Sequence, residues 1–286
     1  MKALDEPGLS VTLIARDEGD RLPGALASVA FADERIVVVD AASTDRTEEV
    51  ARQAGARVVV RTFDGFGRQK NAAAALAANR WILSIDADEI VSPKLALEIR
   101  ACLVSAASET SPPAAFRVPI RLEFLGRELL FGRDTVVRPI RLYDRSRARF
   151  SDDPVHERIL ATGPVESLEE SVLHRSYRDL AHYLEKLDRY TTLAAEAKWA
   201  ARKGDGGFLP ARVLWELFDR AVLRLGFLDG SAGLTFAGLS TASTLLKYLK
   251  LREMERAIAH GARTPPEGVR IEDTATLRIR ATLGAR

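Results

Sequence analysis

Three carboxylates fall within four residues at Asp86-Ala87-Asp88-Glu89, directly after the apolar run Trp81-Ile82-Leu83-Ser84-Ile85. Such a run reads as a short buried strand. The carboxylates then stand at its C-terminal end, the edge at which open α/β sheets hold ligands. Ala87 lets Asp86 and Asp88 point to the same side of an extended backbone. Two hard oxygen donors placed this way suit Mg²⁺ or Mn²⁺. An acidic edge repels phosphate unless a cation intervenes, so the chemistry implied is metal-bridged diphosphate binding. The competing interpretation is a solvated acidic turn ahead of a helix starting near Pro93. Asp40 ends a second apolar strand in the same manner, and a carboxylate there can accept a hydrogen bond from a base N–H. Asp45, in Ser43-Thr44-Asp45-Arg46-Thr47, reads more simply as a helix N-cap backed by Glu48.

The elements that must position these residues alternate. Strands are expected at Leu9 to Ala15, Arg35 to Val39, Arg57 to Arg61 and Trp81 to Ile85. Helices are expected at Asp20 to Ala30, Thr44 to Gln53, Arg68 to Asn79 and Pro93 to Ala107. This βαβα order, with solidly apolar strands, predicts a mainly parallel sheet covered on both faces. Ser108-Glu109-Thr110-Ser111-Pro112-Pro113 reads as a linker. Residues 115 to 150 hold nine arginines against four acidic residues, in strands with turns near Gly126 and Gly132. A long amphipathic helix is expected from Asp179 to Lys203, with Tyr183 and Tyr190 on its packing side and His174 and His182 on or beside it. A second helix is expected from Phe208 to Leu228, and the chain from about His260 reads as a peripheral tail.

The chain has 286 residues, 47% of them hydrophobic and 29% charged, enough for one large domain or a catalytic domain with an appendage. A net charge of +2 does not call for nucleic acid, and none is expected as a partner. The single cysteine, Cys102, leaves no internal disulfide and fits a reducing compartment. No apolar stretch precedes the first strand, so a secretory signal is not expected. Asp229 and Lys247 bound 17 uncharged residues rich in Gly, Ser and Thr, at the low end of the roughly 17–25 that span a bilayer. A peripheral or shallowly inserted helical hairpin, with Lys247, Lys250, Arg252 and Arg256 near anionic headgroups, fits better than a span. A plain helix packed on the protein fits equally well.

Four segments taken together resemble the family-2 inverting glycosyltransferases of GT-A fold. They are Ala15-Arg16-Asp17-Glu18, the Asp40 to Thr47 segment, Arg68-Gln69-Lys70-Asn71 and Asp86-Ala87-Asp88. The resemblance implies a GT-A (nucleotide-diphospho-sugar transferase) fold with a C-terminal helical appendage. The catalytic domain would span 1–178, with a donor half at 9–107 and an acceptor half at 115–178, followed by helices to 260 and a tail over 261–286. It also implies Mg²⁺ or Mn²⁺ as cofactor and a UDP-sugar as donor. Asp40 would contact uracil, Asp86 the ribose and Asp88 the metal, with Arg16, Glu18, Lys70 and Asn71 on the donor. Asp17 stands where the family usually has Asn, and Ala42 where Gly is frequent. A narrower likeness rests on Phe63 to Asn71, Asp86-Ala87-Asp88-Glu89, Pro154-Val155-His156-Glu157 and Gly226-Phe227-Leu228-Asp229-Gly230. These segments resemble the lipopolysaccharide core β-glucosyltransferase group. That group implies glucose transfer to an inner-core heptose or similar anionic glycolipid, at the cytoplasmic face of the membrane. A polyprenyl phosphate acceptor and an inactive membrane-bound module are the alternatives.

An inverting transfer needs a base for the acceptor hydroxyl. Glu157 is the first choice, Asp153 the runner-up and Asp152 a further candidate. His156 would ligate the metal or meet the diphosphate, although neighbours on an extended strand face opposite ways. Arginine forks suit phosphate and carboxylate, and Arg138 and Arg141 are the expected acceptor contacts.

Overall fold

The computed structural model describes residues 7–133, 135–153, 157–201 and 208–259. Three apolar runs of the N-terminal half form strands buried on both faces by β-branched and leucine side chains, and a fourth, at Arg57–Arg61, pairs at the sheet edge with Val60 46% exposed. These strands are β1 (Leu9–Ala15), β2 (Glu34–Asp40), β3 (Arg57–Arg61) and β4 (Trp81–Ser84). Helices α1 (Leu22–Ser28), α2 (Thr47–Gln53), α3 (Phe66–Ala75) and α4 (Pro93–Ser108) lie between and after them, with the short strand β5 (Glu89–Val91) preceding α4. The chain continues through β6 (Ala115–Arg117), β7 (Ile120–Phe124), β8 (Arg127–Glu128), β9 (Val136–Val137) and β10 (Ile140–Asp144). Four more short strands follow: β11 (Ala148–Phe150), β12 (Ile159–Ala161), β13 (Val165–Ser167) and β14 (Val172–His174).

Seven strands form one sheet in the order β13-β6-β10-β4-β1-β2-β3. β1 pairs in parallel with β2 and β4, β2 with β3, and β6 with β13, while β10 runs antiparallel to its neighbours β4 and β6. The mainly parallel sheet expected from the sequence is therefore present, in an α/β fold. Its core gathers Leu9, Val11, Leu13, Val37 and Leu83 with Leu95 and Ile99 of α4. Ser92 caps α4 by accepting the Leu95 N–H, and Pro93 occupies the first turn, where its missing N–H costs nothing. The order β4-β1-β2 places the C-terminal ends of three parallel strands side by side. Asp40, the 15–17 turn and Asp86 thus share one edge.

The chain divides into two compact units, Met1–Arg121 with Val137–Arg175, and Leu122–Val136 with Ser176–Arg286. The first holds the sheet. The second contains α5 (Leu180–Ala200), α6 (Leu209–Phe218) and α7 (Gly230–Ala259). Segment 122–136, within the stretch expected to form an acceptor half, belongs by its contacts to this helical unit. There Phe124 packs on Tyr177, Tyr183 and Phe236, which gives Tyr183 the packing role its spacing predicts. Turns at Gly126 and Gly132 adopt φ of 73° and 95°, as glycine allows.

The expected helix from 208 to 228 ends ten residues earlier. It passes into a π turn at Asp219–Leu223 and a 3₁₀ turn at Gly226–Asp229, with Leu225 in the left-handed region between them. The Asp229 carboxylate holds this break by accepting the Leu130 and Phe131 N–H groups. Of the two readings of 231–246, the hairpin is absent and the plain packed helix is present, as part of α7, one 30-residue helix. Its interior has no proline, and a helical glycine costs only about 1 kcal/mol relative to alanine. Gly233 serves packing, because a Cβ there would lie 2.1 Å from the Gly226 carbonyl oxygen. Among the described residues, no helix is long and apolar enough to cross a membrane.

Candidate active site

α3 carries one face of the site. Gly67, Lys70 and Asn71 recur at helical spacing and meet the segment after β11. A Cβ at Gly67 would lie 2.0 Å from the Ser151 carbonyl oxygen and 3.5 Å from the Glu157 Cβ, so only glycine permits this approach. Asn71 donates from Nδ2 to the Phe150 carbonyl and accepts the Phe150 N–H at Oδ1, both at 2.9 Å. Asn71, expected on the donor, therefore spends its amide fastening α3 to β11. Lys70 lies between two carboxylates, 3.2 Å from Asp86 Oδ1 and 3.2 Å from Glu157 Oε1. The Glu157 side chain is 8% exposed. Its Oε1 faces Lys70, and its buried Oε2 has no hydrogen-bond partner among the described residues. A buried carboxylate oxygen without a partner is costly in a finished structure. It is expected where a substrate hydroxyl completes the set.

Arg141 enters from β10. Its Nη2 lies 2.9 Å from Asp86 Oδ2 and 2.7 Å from Glu89 Oε1. Glu89, 1% exposed, also accepts the Asp86 N–H at 2.9 Å, so it braces the strand end. Desolvation pushes the Asp86 carboxyl up, but the charges of Lys70, Arg141 and His174 and the Arg141 hydrogen bond hold it well below the usual range. Burial raises the Glu89 carboxyl, opposed by Arg141 and reinforced by Asp86. Arg141, expected at the acceptor, is thus enclosed between the Asp86 and Glu89 carboxylates. Replacing it with methionine leaves Glu89 buried without a cation. Urea denaturation is expected to show a loss of about 3–5 kcal/mol, with Arg141→Lys only partly restoring it because the shorter, more strongly hydrated ammonium must be placed where Nη2 now meets both carboxylates.

Asp88 is 8% exposed, and its neighbours include a cation and a titratable ring. His174 Nε2 lies 3.2 Å from Asp88 Oδ2, and Arg21 Nη1 lies 3.5 Å from the same oxygen. Arg21 carried no signal in the sequence, and His174, expected on or beside the long helix, ends strand β14 instead. His174 arrives because β14 pairs antiparallel with β5, setting His174 opposite Glu89, and the Arg175 N–H bonds the Asp88 carbonyl at 2.8 Å. Asp88 and His174 form a mixed oxygen–nitrogen donor pair. No group of three His, Cys, Asp or Glu side chains arranged for a metal occurs among the described residues. A divalent ion held by one or two protein ligands and completed by substrate phosphates and water fits this pair. His156, the other expected ligand, lies outside the described residues.

The β1–α1 turn supplies the remaining wall. Asp17 sits in the left-handed region at φ 53°, which Asn and Asp tolerate best after glycine. Its Oδ1 accepts the Thr44 N–H at 2.7 Å and its own N–H donates to Ser43 Oγ at 3.0 Å. The Thr44 bond lowers the Asp17 carboxyl below its usual range. Aspartate thus meets both demands of this position, a left-handed backbone and a side-chain acceptor. Asp45 accepts the Gly19 and Thr47 N–H groups, each at 2.9 Å, and Glu48 pairs with Arg52. Because residues 43–45 bind the first turn, α2 starts at Thr47 rather than Thr44. Asp40 is 6% exposed, its Oδ1 accepting the Ala42 N–H at 3.0 Å and its Oδ2 lying 3.6 Å from Arg16 Nη1. Arg16 is 60% exposed and overhangs the edge. Glu18 donates its N–H to Thr47 Oγ1 at 2.8 Å, and its Oε2 lies 3.5 Å from Arg21.

The other expected residues lie apart from this cluster. Asp152 and Asp153 are exposed, with Asp152 3.5 Å from Arg149. Arg138 is exposed and reaches the Leu168 carbonyl at 3.4 Å.

One strand edge therefore gathers Asp40, Asp86, Asp88, Lys70 and Glu157 at the ends and flanks of a parallel sheet. Residues 10–101 match the glycosyl transferase family 2 profile. The family-2 segment contains β1 through most of α4, including Asp40, Lys70, Asp86 and Asp88. An uncharacterized glycosyltransferase of Rickettsia felis is 27% identical over 255 residues, covering 86% of this chain and 89% of that protein. One from Rickettsia conorii is 26% identical over 262 residues, covering 88% and 92%. Among solved structures, residues 1–349 of Staphylococcus aureus TarS in complex with UDP-GlcNAc align over 87% of this chain and 91% of that one, at 14% identity and a TM-score of 0.42. Residues 10–101 thus carry a family 2 glycosyl transferase segment, and the relatives that align over most of the chain are themselves described as glycosyltransferases.

Proposed function

We propose that the protein is an inverting hexosyltransferase that uses a UDP-sugar and a divalent metal, with Glu157 as the base. The observation that carries this reading is the Glu157 carboxylate, tied to Lys70 through Oε1 and carrying an unpartnered buried Oε2. The acceptor hydroxyl would give its proton to Oε2 while its oxygen attacks the anomeric carbon. The bond from that carbon to the diphosphate oxygen breaks, and the nucleoside diphosphate leaves with the electron pair. Inversion follows from attack opposite the leaving group. Lys70 orients Glu157 and places a positive charge beside Asp86. Asp40, with Oδ1 on its own turn, would offer Oδ2 to the uracil N–H, and Arg16 would cover the base. Asp86, fixed by Lys70 and Arg141, would accept from the ribose. Asp88 and His174 would hold Mg²⁺ or Mn²⁺, which when bound neutralises charge on the donor diphosphate.

The acceptor we propose is an inner-core lipopolysaccharide heptose or a similar anionic glycolipid, with glucose as the sugar and the protein resting on the inner face of the cytoplasmic membrane. Exposed Arg138 would meet acceptor phosphate. The test is calorimetric binding of UDP-glucose, UDP-galactose, UDP-GlcNAc and GDP-mannose with Mn²⁺ and with chelator. UDP-glucose should bind best and lose at least about tenfold in affinity under chelation, in line with the electrostatic share of diphosphate binding. Preference for GDP-mannose would overturn the donor assignment, and unchanged affinity under chelation would overturn the metal.

A further inference from the structure

The helical unit leaves an unusual share of its apolar surface uncovered. Eleven of the 22 exposed large apolar side chains among the described residues fall between Phe208 and Leu234. Phe208 is 75% exposed, Leu214 68%, Trp215 62% and Phe218 47%. On α6 these are not scattered. Phe208, Arg212 and Trp215 follow one another at steps of four and three, so they stack along one stripe. The Trp215 and Phe218 rings lie 6.0 Å apart, centroid to centroid. The opposite side of α6 is committed, because Leu209 and Val213 pack with Tyr248, Leu251 and Met254 of α7. α6 is therefore amphipathic in reverse of a finished surface helix: one face is buried, and the other still shows tryptophan, phenylalanine and leucine.

A cationic cluster adjoins this stripe. Arg212 donates to the Tyr248 hydroxyl, and its guanidinium lies 5.1 Å from the ring centroid. Lys198 and Lys247 approach the same ring at 5.2 and 5.0 Å. Three cations thus converge on one tyrosine, against one acid of α6, Glu216, which lies 3.5 Å from Arg220 and also favours the Lys247 ammonium. Like charges brought together in this way favour an anionic visitor.

We infer that the outer face of α6 docks in the plane of an anionic lipid bilayer, with Trp215 and Phe218 at the headgroup–acyl boundary and Lys198, Arg212 and Lys247 against lipid phosphate. A ten-residue helix is about 15 Å long and cannot span a bilayer. An amphipathic helix of this chemistry lies in the interface, where tryptophan is enriched. The anionic charge complements the cluster, as a neutral protein surface would not. This moves the membrane contact from the uncharged 230–246 stretch to α6. It deepens the proposed action at a membrane surface, and it is read without sugar transfer.

The intact chain is mixed, without donor or acceptor, with phosphatidylcholine vesicles and with vesicles that also contain phosphatidylglycerol. Co-sedimentation with the anionic vesicles and its loss at high salt are expected. Trp215→Ser with Phe218→Ser should lower partitioning at least about tenfold. Arg212→Gln with Lys247→Gln should lower it about fivefold per charge on anionic vesicles only. Both sites of the first pair are exposed, so unchanged thermal denaturation checks the fold. On the unsubstituted chain, lipids brominated in their acyl chains should quench tryptophan fluorescence, and the quenching should survive Trp199→Phe. Absence of binding to anionic vesicles overturns the inference, as does binding indifferent to both substitutions. A self-associated species dispersed by Trp215→Ser, without vesicle binding, overturns it in favour of a second copy. Vesicle binding by a protein that transfers no sugar leaves this inference standing and removes the proposed reaction instead.

Discussion

Glu157→Gln is expected to lower the turnover of sugar transfer by about a thousandfold, within the range for a lost general base, while donor affinity stays within about threefold. Glutamine keeps the volume of the side chain and an oxygen that can face Lys70 at the 3.2 Å now spanned by Oε1. What it removes is the ability of the second position, now the unpartnered Oε2, to take a proton. Because the defect lies in proton transfer, KM should barely move and the loss should fall on kcat. Asp153→Asn is the matched control. Asp153 is exposed, so that variant should retain activity within about twofold, as surface substitutions usually do. The opposite pattern, an inactive Asp153→Asn beside an active Glu157→Gln, would reassign the base to Asp153. Single-turnover measurements with bound donor separate a chemical defect from slow product release.

The strength of this contrast rests on features that differ in how they can be read from sequence. The parallel sheet and its acidic edge were legible because their signals are local. Solid apolar runs such as Ile36-Val37-Val38-Val39 end in a carboxylate, and burial of the run fixes where the carboxylate emerges. Lys70 and Gly67 were legible as part of a motif, yet their target was not. That α3 would face Glu157 depends on a contact 87 residues away. His174 is the clearest case of an illegible residue. It sits 86 residues from Asp88, on a three-residue strand with no alternating pattern, and only the β5–β14 register brings the two together. The α6–α7 region failed for the opposite reason. Its composition looked continuous from 208 to 228, but the break at Leu225 is set by Asp229 reaching back to residues 130 and 131, a constraint invisible to helical periodicity.

Asp88→Asn is expected to reduce transfer by about a hundred- to a thousandfold, the range found when one preorganised electrostatic contact to a developing charge is lost, and to remove most of the dependence on divalent cation. Asparagine is nearly isosteric, so the backbone bond from Arg175 N–H to the residue 88 carbonyl and the β5–β14 pairing should survive. The change removes a negative charge between Arg21 and His174, which sit 3.5 and 3.2 Å from Asp88 Oδ2. Two outcomes then separate roles that activity alone would merge. If Asp88 acts through the cation, Mn²⁺ binding by paramagnetic resonance should weaken in Asp88→Asn, and His174→Gln should weaken it by about ten- to a hundredfold. If Asp88 acts only by fixing Arg21 and His174, Mn²⁺ binding should be unchanged and the loss should appear as reduced thermal stability. Asp86→Asn supplies the internal contrast. Its carboxylate is already engaged by Lys70 and Arg141, so its loss should raise the KM for the donor and leave Mn²⁺ binding close to that of the unsubstituted protein.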